Sequence, residues 1–286
     1  FVIRINMMNT HNKSKPIIWS ISGSDCSGGA GIAADIKTGH GLGVEVCTLI
    51  TANTVQNSHQ LTSINPISID VLQQQADILI HDKPPSVIKI GLLANVKQVQ
   101  WLALLLAQYK KQIPDLLSVY DPVGQASVGG NFNTLTLAQL TPLLQQIDVL
   151  TPNLVEAKAL TSISDGMSIT QLAEKIHHDF AITSVLIKGG HHDDQYNCND
   201  YCYHQLNQLN KAKQDSQFQQ DKTKTAISYH LSSIRVNTHN SHGSGCSFAT
   251  ALASFLAQGY LMRDAFTLAK AFINQGLLAS EHLSAE

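Results

Sequence analysis

The chain is short of charge. Charged residues make up 14% of its 286 residues, and 19 lysines and arginines stand against 21 aspartates and glutamates, for a formal net charge of -2. Without a basic excess a nucleic-acid module is disfavoured, and without an acidic tail no scavenged cation or basic partner is implied. Long apolar runs are also missing. No segment approaches the roughly 18 uninterrupted apolar residues of a membrane helix, so no membrane partner is expected. The first residues carry no long apolar core, and no signal peptide is expected. Residues 1–15 read as a flexible N-terminal extension, with Met7 and Met8 as candidate native starts. The five cysteines (Cys26, Cys47, Cys198, Cys202, Cys246) are an odd count in a long chain. That argues against a disulfide framework and for reduced thiols in the cytoplasm. Two nucleotide-binding fingerprints are absent as well. The first glycine loop has neither the dinucleotide spacing nor the Gly-Lys-Ser/Thr ending of a P-loop.

What is present is a globular composition, 43% hydrophobic over 286 residues, which suits one large α/β domain with a substantial core. Short apolar runs predict strands over 17–22, 44–51, 86–90, 117–120, 149–150, 185–187 and 227–236. Between them, helical patterns fall over 32–42, 69–79, 96–108, 137–146, 169–178 and 262–282. Strand and helix alternate to the end, and no linker or repeat divides the chain. That predicts a mainly parallel sheet with helices on both faces in a single domain spanning 1–286. Residues 205–224 are rich in Gln, Asn and Lys and read as a polar insertion between two β segments.

Two glycine-rich turns carry the strongest chemical signal. Ser241-His242-Gly243-Ser244-Gly245-Cys246 opens directly into an alanine-rich helix. Glycine allows close backbone approach, and the free N–H groups of a helix start favour an anion. The same field is expected to favour thiolate at Cys246. Read blandly, this is a small-residue turn that lets a helix pack. The other turn, Gly23-Ser24-Asp25-Cys26-Ser27-Gly28-Gly29-Ala30-Gly31, joins the first strand to a helix carrying Asp35, which read blandly is a solvated helix-face acid or a favourable charge near the helix start. The remaining polar candidates also sit at strand ends or helix starts. Gln56 suits the edge of a heterocycle, or is an ordinary loop amide. Asp121 ends a buried strand and suits a metal or a phosphate-bound cation, or is an N-cap or a loop salt bridge. Asn153 and Glu156 share a helix start, where they also fit a capping box. Lys188, before two glycines, can reach a phosphate, or is a surface lysine at a turn. A cluster of His191, His192, Cys198, Cys202 and His204 invites a zinc reading but lacks a well-spaced second ligand pair.

Taken in order, these motifs resemble one known family. The first loop with Ala34-Asp35, then Asp121-Pro122-Val123, Thr151-Pro152-Asn153 with Glu156-Ala157, Lys188-Gly189-Gly190-His191 and His242-Gly243-Ser244-Gly245-Cys246 resemble the hydroxymethylpyrimidine/phosphomethylpyrimidine kinases. These are ribokinase-like enzymes of thiamine biosynthesis, and the match spans roughly 17–278. The resemblance implies a three-layer α/β fold, ATP and Mg²⁺ as cofactors, and a homodimer. It implies a pyrimidine pocket of Gly23, Ala30, Asp35, Gln56, Leu92 and Val123. It gives ATP to Asn153, Glu156, Lys188, Ser241, Gly243 and Gly245, and Mg²⁺ to Asp121 and Glu156. The catalytic set it implies is Lys188, an anion hole over Gly243, Ser244 and Gly245, and Cys246 as the base. There are departures. Gly124 and Leu92 stand where the family usually has methionine, Ser244 replaces threonine, and the flap from Gln125 to Gly130 lacks the usual residues. A pyridoxal kinase of the same superfamily and a non-catalytic pyrimidine-binding homologue are the competing readings.

Overall fold

The computed structural model describes residues 14–57, 60–123, 125–126, 130–131, 135–162, 166–189, 196–206, 226–236 and 242–283. Its strands are β1 (Ile17–Asp25), β2 (Glu45–Gln56), β3 (Leu61–Pro66), β4 (Val87–Ile90), β5 (Leu117–Tyr120), β6 (Gln125–Ala126), β7 (Gly130–Asn131), β8 (Val149–Leu150), β9 (Ser184–Ile187), β10 (Asn197–Gln205) and β11 (Ala226–Ile234). Nine of them form one sheet in the order β11-β10-β9-β8-β5-β4-β1-β2-β3, and β6 pairs with β7 apart from it. The middle of the sheet, from β9 through β8, β5, β4 and β1 to β2, is parallel throughout. Antiparallel strands complete both ends, β3 beside β2 and the β10–β11 pair beside β9.

The helices are α1 (Gly31–Gly41), α2 (Ile69–Asp82), α3 (Val96–Gln112), α4 (Leu137–Leu144), α5 (Leu154–Thr161), α6 (Ile169–Phe180), α7 (Ser244–Ala257) and α8 (Met262–Leu283). Strand residues alternate between two cores, as a period of two requires. Trp19, Ile88, Tyr120 and Leu150 face the layer of α2 to α6. Their neighbours Ile18, Val87, Val119 and Val149 face α7 and α8. α1 packs on α7 in that second layer. Ser68, Asn95, Thr136 and Ser168 cap α2, α3, α4 and α6 through their side chains, each contributing about 1 kcal/mol.

Three segments differ from the sequence expectation. The second strand does not stop at 51 but runs on to Gln56, because β3 pairs with its distal half from Ala52 to Gln56. β3 and β10 were not expected. β3 is half-buried at one end of the sheet. β10 reads as a polar run, Asn-Cys-Asn-Asp-Tyr-Cys-Tyr-His-Gln, and gains its strand character from hydrogen-bonded neighbours on both sides. Tertiary pairing there outweighs weak local β propensity.

Candidate active site

The site is assembled at the carboxyl ends of β1, β2, β4, β5, β8 and β9, where open parallel sheets gather ligands. β1 ends in Asp25, whose carboxylate organises the loop that follows. It accepts from the N–H of Ser27 at 2.9 Å, of Gly29 at 3.2 Å and of Ala30 at 2.8 Å. It also accepts from the Ser27 hydroxyl at 2.8 Å and from His242 Nε2 at 2.8 Å. Burial would raise the Asp25 pKa, but hydrogen bonds from Gln56, Ser27 and His242 outweigh it and hold the carboxyl well below the usual range. The two glycine turns are therefore clasped together by an ionised acid and a histidine. Their backbones touch. A Cβ on Gly243, whose φ is +79°, would lie 1.9 Å from the Gly29 carbonyl oxygen. Only glycine can occupy that position. Sequence reasoning quoted Asp25 and His242 inside motifs and gave neither a role. An acid followed by Ser-Gly-Gly is the available signal, because a short carboxylate there can gather the next N–H groups into a turn.

Gly243 is the N-cap of α7 and offers no side-chain cap. The first N–H groups of α7 therefore open on the site with the positive end of the helix dipole behind them. Lys188 and Asp121 lie against this opening. Lys188 Nζ donates to Asp121 Oδ1 at 2.6 Å, and a Cβ built on Gly245 would be 3.2 Å from Lys188 Nζ and 3.5 Å from Asp121 Oδ2. Burial pulls the Lys188 pKa down, but the carboxylates of Asp121 and Glu156 overcome it, so the pKa is raised and the ammonium stays charged. The anion-hole residues, Lys188 and Asp121 are thus brought into one place.

Cys246 joins them with its charge state reversed from expectation. Burial pushes its thiol up to about 11, Lys89 pulling it down and Asp121 and Asp35 pushing it further up. The helix-start field does not win. Desolvation of the thiolate exceeds it, and two carboxylates stand nearby.

Asp35 is not the solvated helix acid of its bland reading. Its carboxylate is fully buried and accepts from Lys89 Nζ at 2.9 and 2.8 Å and from Thr250 Oγ1 at 2.6 Å. Ser20 Oγ donates to it as well. With both oxygens accepting from internal donors, Asp35 ties β1, α1, β4 and α7 together at the site. The N–H of Ala30 is given to Asp25. Asn153 and Glu156 close on each other as a capping box, Asn153 N donating to Glu156 Oε2 at 2.7 Å and Glu156 N to Asn153 Oδ1 at 2.8 Å. The bland reading of that pair is therefore realised, while the charge of Glu156 still reaches Lys188.

At the other end of the site, Gly23 and Leu92 are in contact, a Cβ on Gly23 falling 2.7 Å from Leu92 Cδ2. Gln56 ends β2 and is buried, and its Oε1 has no hydrogen-bond partner among the described residues. Val123 folds back on Asp121 through a 2.8 Å backbone bond. Ser241, Gly124, His191 and His192 lie outside the described residues, as does most of the 205–224 segment. The flap is described only as the β6–β7 pair. Among the described residues no three His, Cys, Asp or Glu side chains are grouped to cage a metal, and none of their helices is long and apolar enough to cross a membrane. All five cysteines are free. The carboxylates of Asp121 and Glu156 near Lys188 and the start of α7 do fit Mg²⁺, which keeps several waters and takes its remaining oxygens from substrate phosphates.

Residues 25–285 match the family described as phosphomethylpyrimidine kinase. The chain is 35% identical over 264 residues to a hydroxymethylpyrimidine/phosphomethylpyrimidine kinase of Haemophilus influenzae, covering 91% of this chain and 90% of the relative. It is 31% identical to the enzyme of the same name in Bacillus subtilis, covering 90% and 88%. Among solved structures, an ADP complex of Bacillus subtilis pyridoxal kinase superposes with a TM-score of 0.72 at 27% identity over 91% of each chain.

Proposed function

The chain belongs to the phosphomethylpyrimidine kinase family, and on that premise we propose that it phosphorylates 4-amino-5-hydroxymethyl-2-methylpyrimidine with ATP, then phosphorylates the monophosphate, in thiamine biosynthesis. It is a phosphotransferase, as its relatives are named. Phosphoryl transfer leaves the protein little covalent work, and its task is to position groups and neutralise developing charge. The N–H groups at the start of α7 and the Lys188 ammonium supply fixed positive charge for phosphate oxygens. Asp121 and Glu156 are the residues that would hold Mg²⁺, which when bound neutralises phosphate charge. Cys246 Sγ is assigned the proton of the substrate hydroxyl.

The observation that carries the substrate class is Gln56. The residue is 8% exposed, and among the described residues its buried Oε1 finds no donor. The ionised Asp25 beside it only accepts, so the amide NH₂ turns toward the acid and Oε1 is left over. An unsatisfied buried acceptor costs about 1–3 kcal/mol, and the exocyclic amine of an aminopyrimidine supplies the missing donor. Incubation with Mg-ATP should give a phosphate monoester and then a diphosphate by ³¹P NMR. The 4-oxo analogue should lose at least about tenfold in kcat/KM, since a site built for a donor rejects its absence. Equal turnover of the amino and oxo compounds would remove Gln56 from substrate recognition. The same reading makes the enzyme a cytoplasmic homodimer. Sedimentation should then give about twice the 31.1 kDa chain mass, and a monomer mass would refute the dimer.

A further inference from the structure

Lys270 is a charge buried where the fold asks for an apolar residue. It lies on the inner face of α8 with Ala265, Phe266 and Ala269, all fully buried, and is itself 6% exposed. Its ammonium donates to Asp200 Oδ2 at 2.8 Å and to the Cys198 carbonyl at 3.0 Å. Asp200, on β10, is 7% exposed. Its other oxygen, Oδ1, accepts from the N–H of Gly189 at 2.7 Å.

Gly189 follows Lys188. It presses on β10 so closely that a Cβ there would lie 1.8 Å from the Asn199 carbonyl oxygen. On the other side, the N–H of Lys188 donates to the Pro152 carbonyl at 2.8 Å. The backbone that carries Lys188 is therefore pinned from two sides, by the end of β8 and by a carboxylate on β10. That carboxylate is itself fixed from the last helix. A buried ion pair contributes little stability over a well-packed apolar replacement. Its distinctive product here is a rigid, charged acceptor for one backbone N–H next to the site.

We propose that Lys270 and Asp200 are positioning residues for the phosphate end of the site, holding the Lys188–Gly189 corner so that the Lys188 ammonium stays against Asp121 and the start of α7. This rests on the reading that Lys188 meets the phosphates of the nucleotide. It predicts an effect confined to one end of the site, since the pyrimidine edge is built by β1, β2 and Leu92.

The test uses the full chain and variants Lys270→Met, Lys270→Arg and Asp200→Asn, with Mg-ADP affinity measured by calorimetry alongside steady-state kinetics. Lys270→Met should weaken Mg-ADP binding and raise KM for Mg-ATP by roughly tenfold or more, as expected when a positioned group is misplaced. KM for the pyrimidine should stay within about twofold, and Lys270→Arg should restore most of the loss. Asp200→Asn, which keeps the shape of the acceptor, should show the same bias toward the nucleotide if Lys270→Met does not fold. Should neither fold, exchange protection of the Gly189 amide in the wild-type chain decides: protection comparable to the core strands is expected, and rapid exchange overturns the proposal. It is also overturned if a folded variant binds Mg-ADP as wild type does, or if both KM values rise alike. A wild-type chain that binds Mg-ADP but does not turn over the pyrimidine would refute the substrate reading alone. A wild-type chain that binds no Mg-ADP would refute both.

Discussion

At the scale of single residues, Cys246 sets the clearest demand on the chemistry. Burial pushes its thiol up to about 11, so the thiolate is a minor form at neutral pH. If Cys246 takes the hydroxyl proton, kcat must rise with pH as the thiol ionises, with a midpoint at about 11. Replacing Cys246 by Ala should remove that alkaline limb and lower kcat by about a hundredfold at its top, the usual scale of a general base. A mutant that keeps both the limb and the rate would take the proton away from Cys246. The sequence placed this thiol at the helix start, and the structure keeps it there. Its ionisation was not legible, because it depends on burial and on Asp121, Asp35 and Lys89, which arrive from distant stretches of chain. Asp35 shows the same limit. Its place on α1 was readable, but the buried Lys89 that claims it lies 54 residues away.

At the scale of elements, the site is two turns clasped over a helix start, and its glycines carry different loads. Gly243 has a φ of +79° and no room for a Cβ, whereas a Cβ on Gly245 would have Lys188 Nζ and the Asp121 carboxylate as its nearest neighbours from other elements among the described residues. Gly243→Ala should therefore destabilise the chain by about 1–3 kcal/mol, the scale of backbone strain, and lose activity through separation of the turns. Gly245→Ala should leave the melting temperature within a few degrees yet raise KM for Mg-ATP, because the methyl group enters the phosphate site. Chemical denaturation and initial-rate kinetics on the pair check this, and matching stability losses would contradict it.

β10 adds a pH effect unrelated to catalysis. His204 is held neutral there, its Nδ1 2.8 Å from the Ser184 hydroxyl, and burial pulls its pKa down to about 4. The unfolded chain takes up that proton near pH 6.5, so His204 contributes stability above that pH and loses it as pH falls toward about 4. The loss amounts to at most about 3 kcal/mol. His204→Gln should flatten this part of the acid limb in urea titrations at pH 7 and 4.5, and an unchanged slope would refute the assignment. β10 itself was hidden in the sequence by its polar residues, which are accommodated because both of its edges are hydrogen-bonded.

At the scale of the molecule, the readable part was the alternation of apolar strands and helices, with its glycine turns. That pattern specifies a parallel core with helices on both faces and brings the strand ends to one edge. Of the antiparallel strands at either end, β11 was readable and β3 and β10 were not, since those two rely on neighbours more than on their own periodicity. The same distinction divides the site. Residues signalled by local pattern, such as Gly245, Lys188 and Asp121, lie close together. The clasp of Asp25 with His242 spans 217 positions, and no local pattern could pair them. The molecule as a whole is read as an ATP-dependent kinase for a pyrimidine alcohol. The most direct test is a coupled ADP-release assay with 4-amino-5-hydroxymethyl-2-methylpyrimidine and pyridoxal run in parallel. ADP release dependent on Mg-ATP is expected, with a clearly higher kcat/KM for the pyrimidine. A preference for pyridoxal, or pyrimidine binding without any ADP formed, would contradict it.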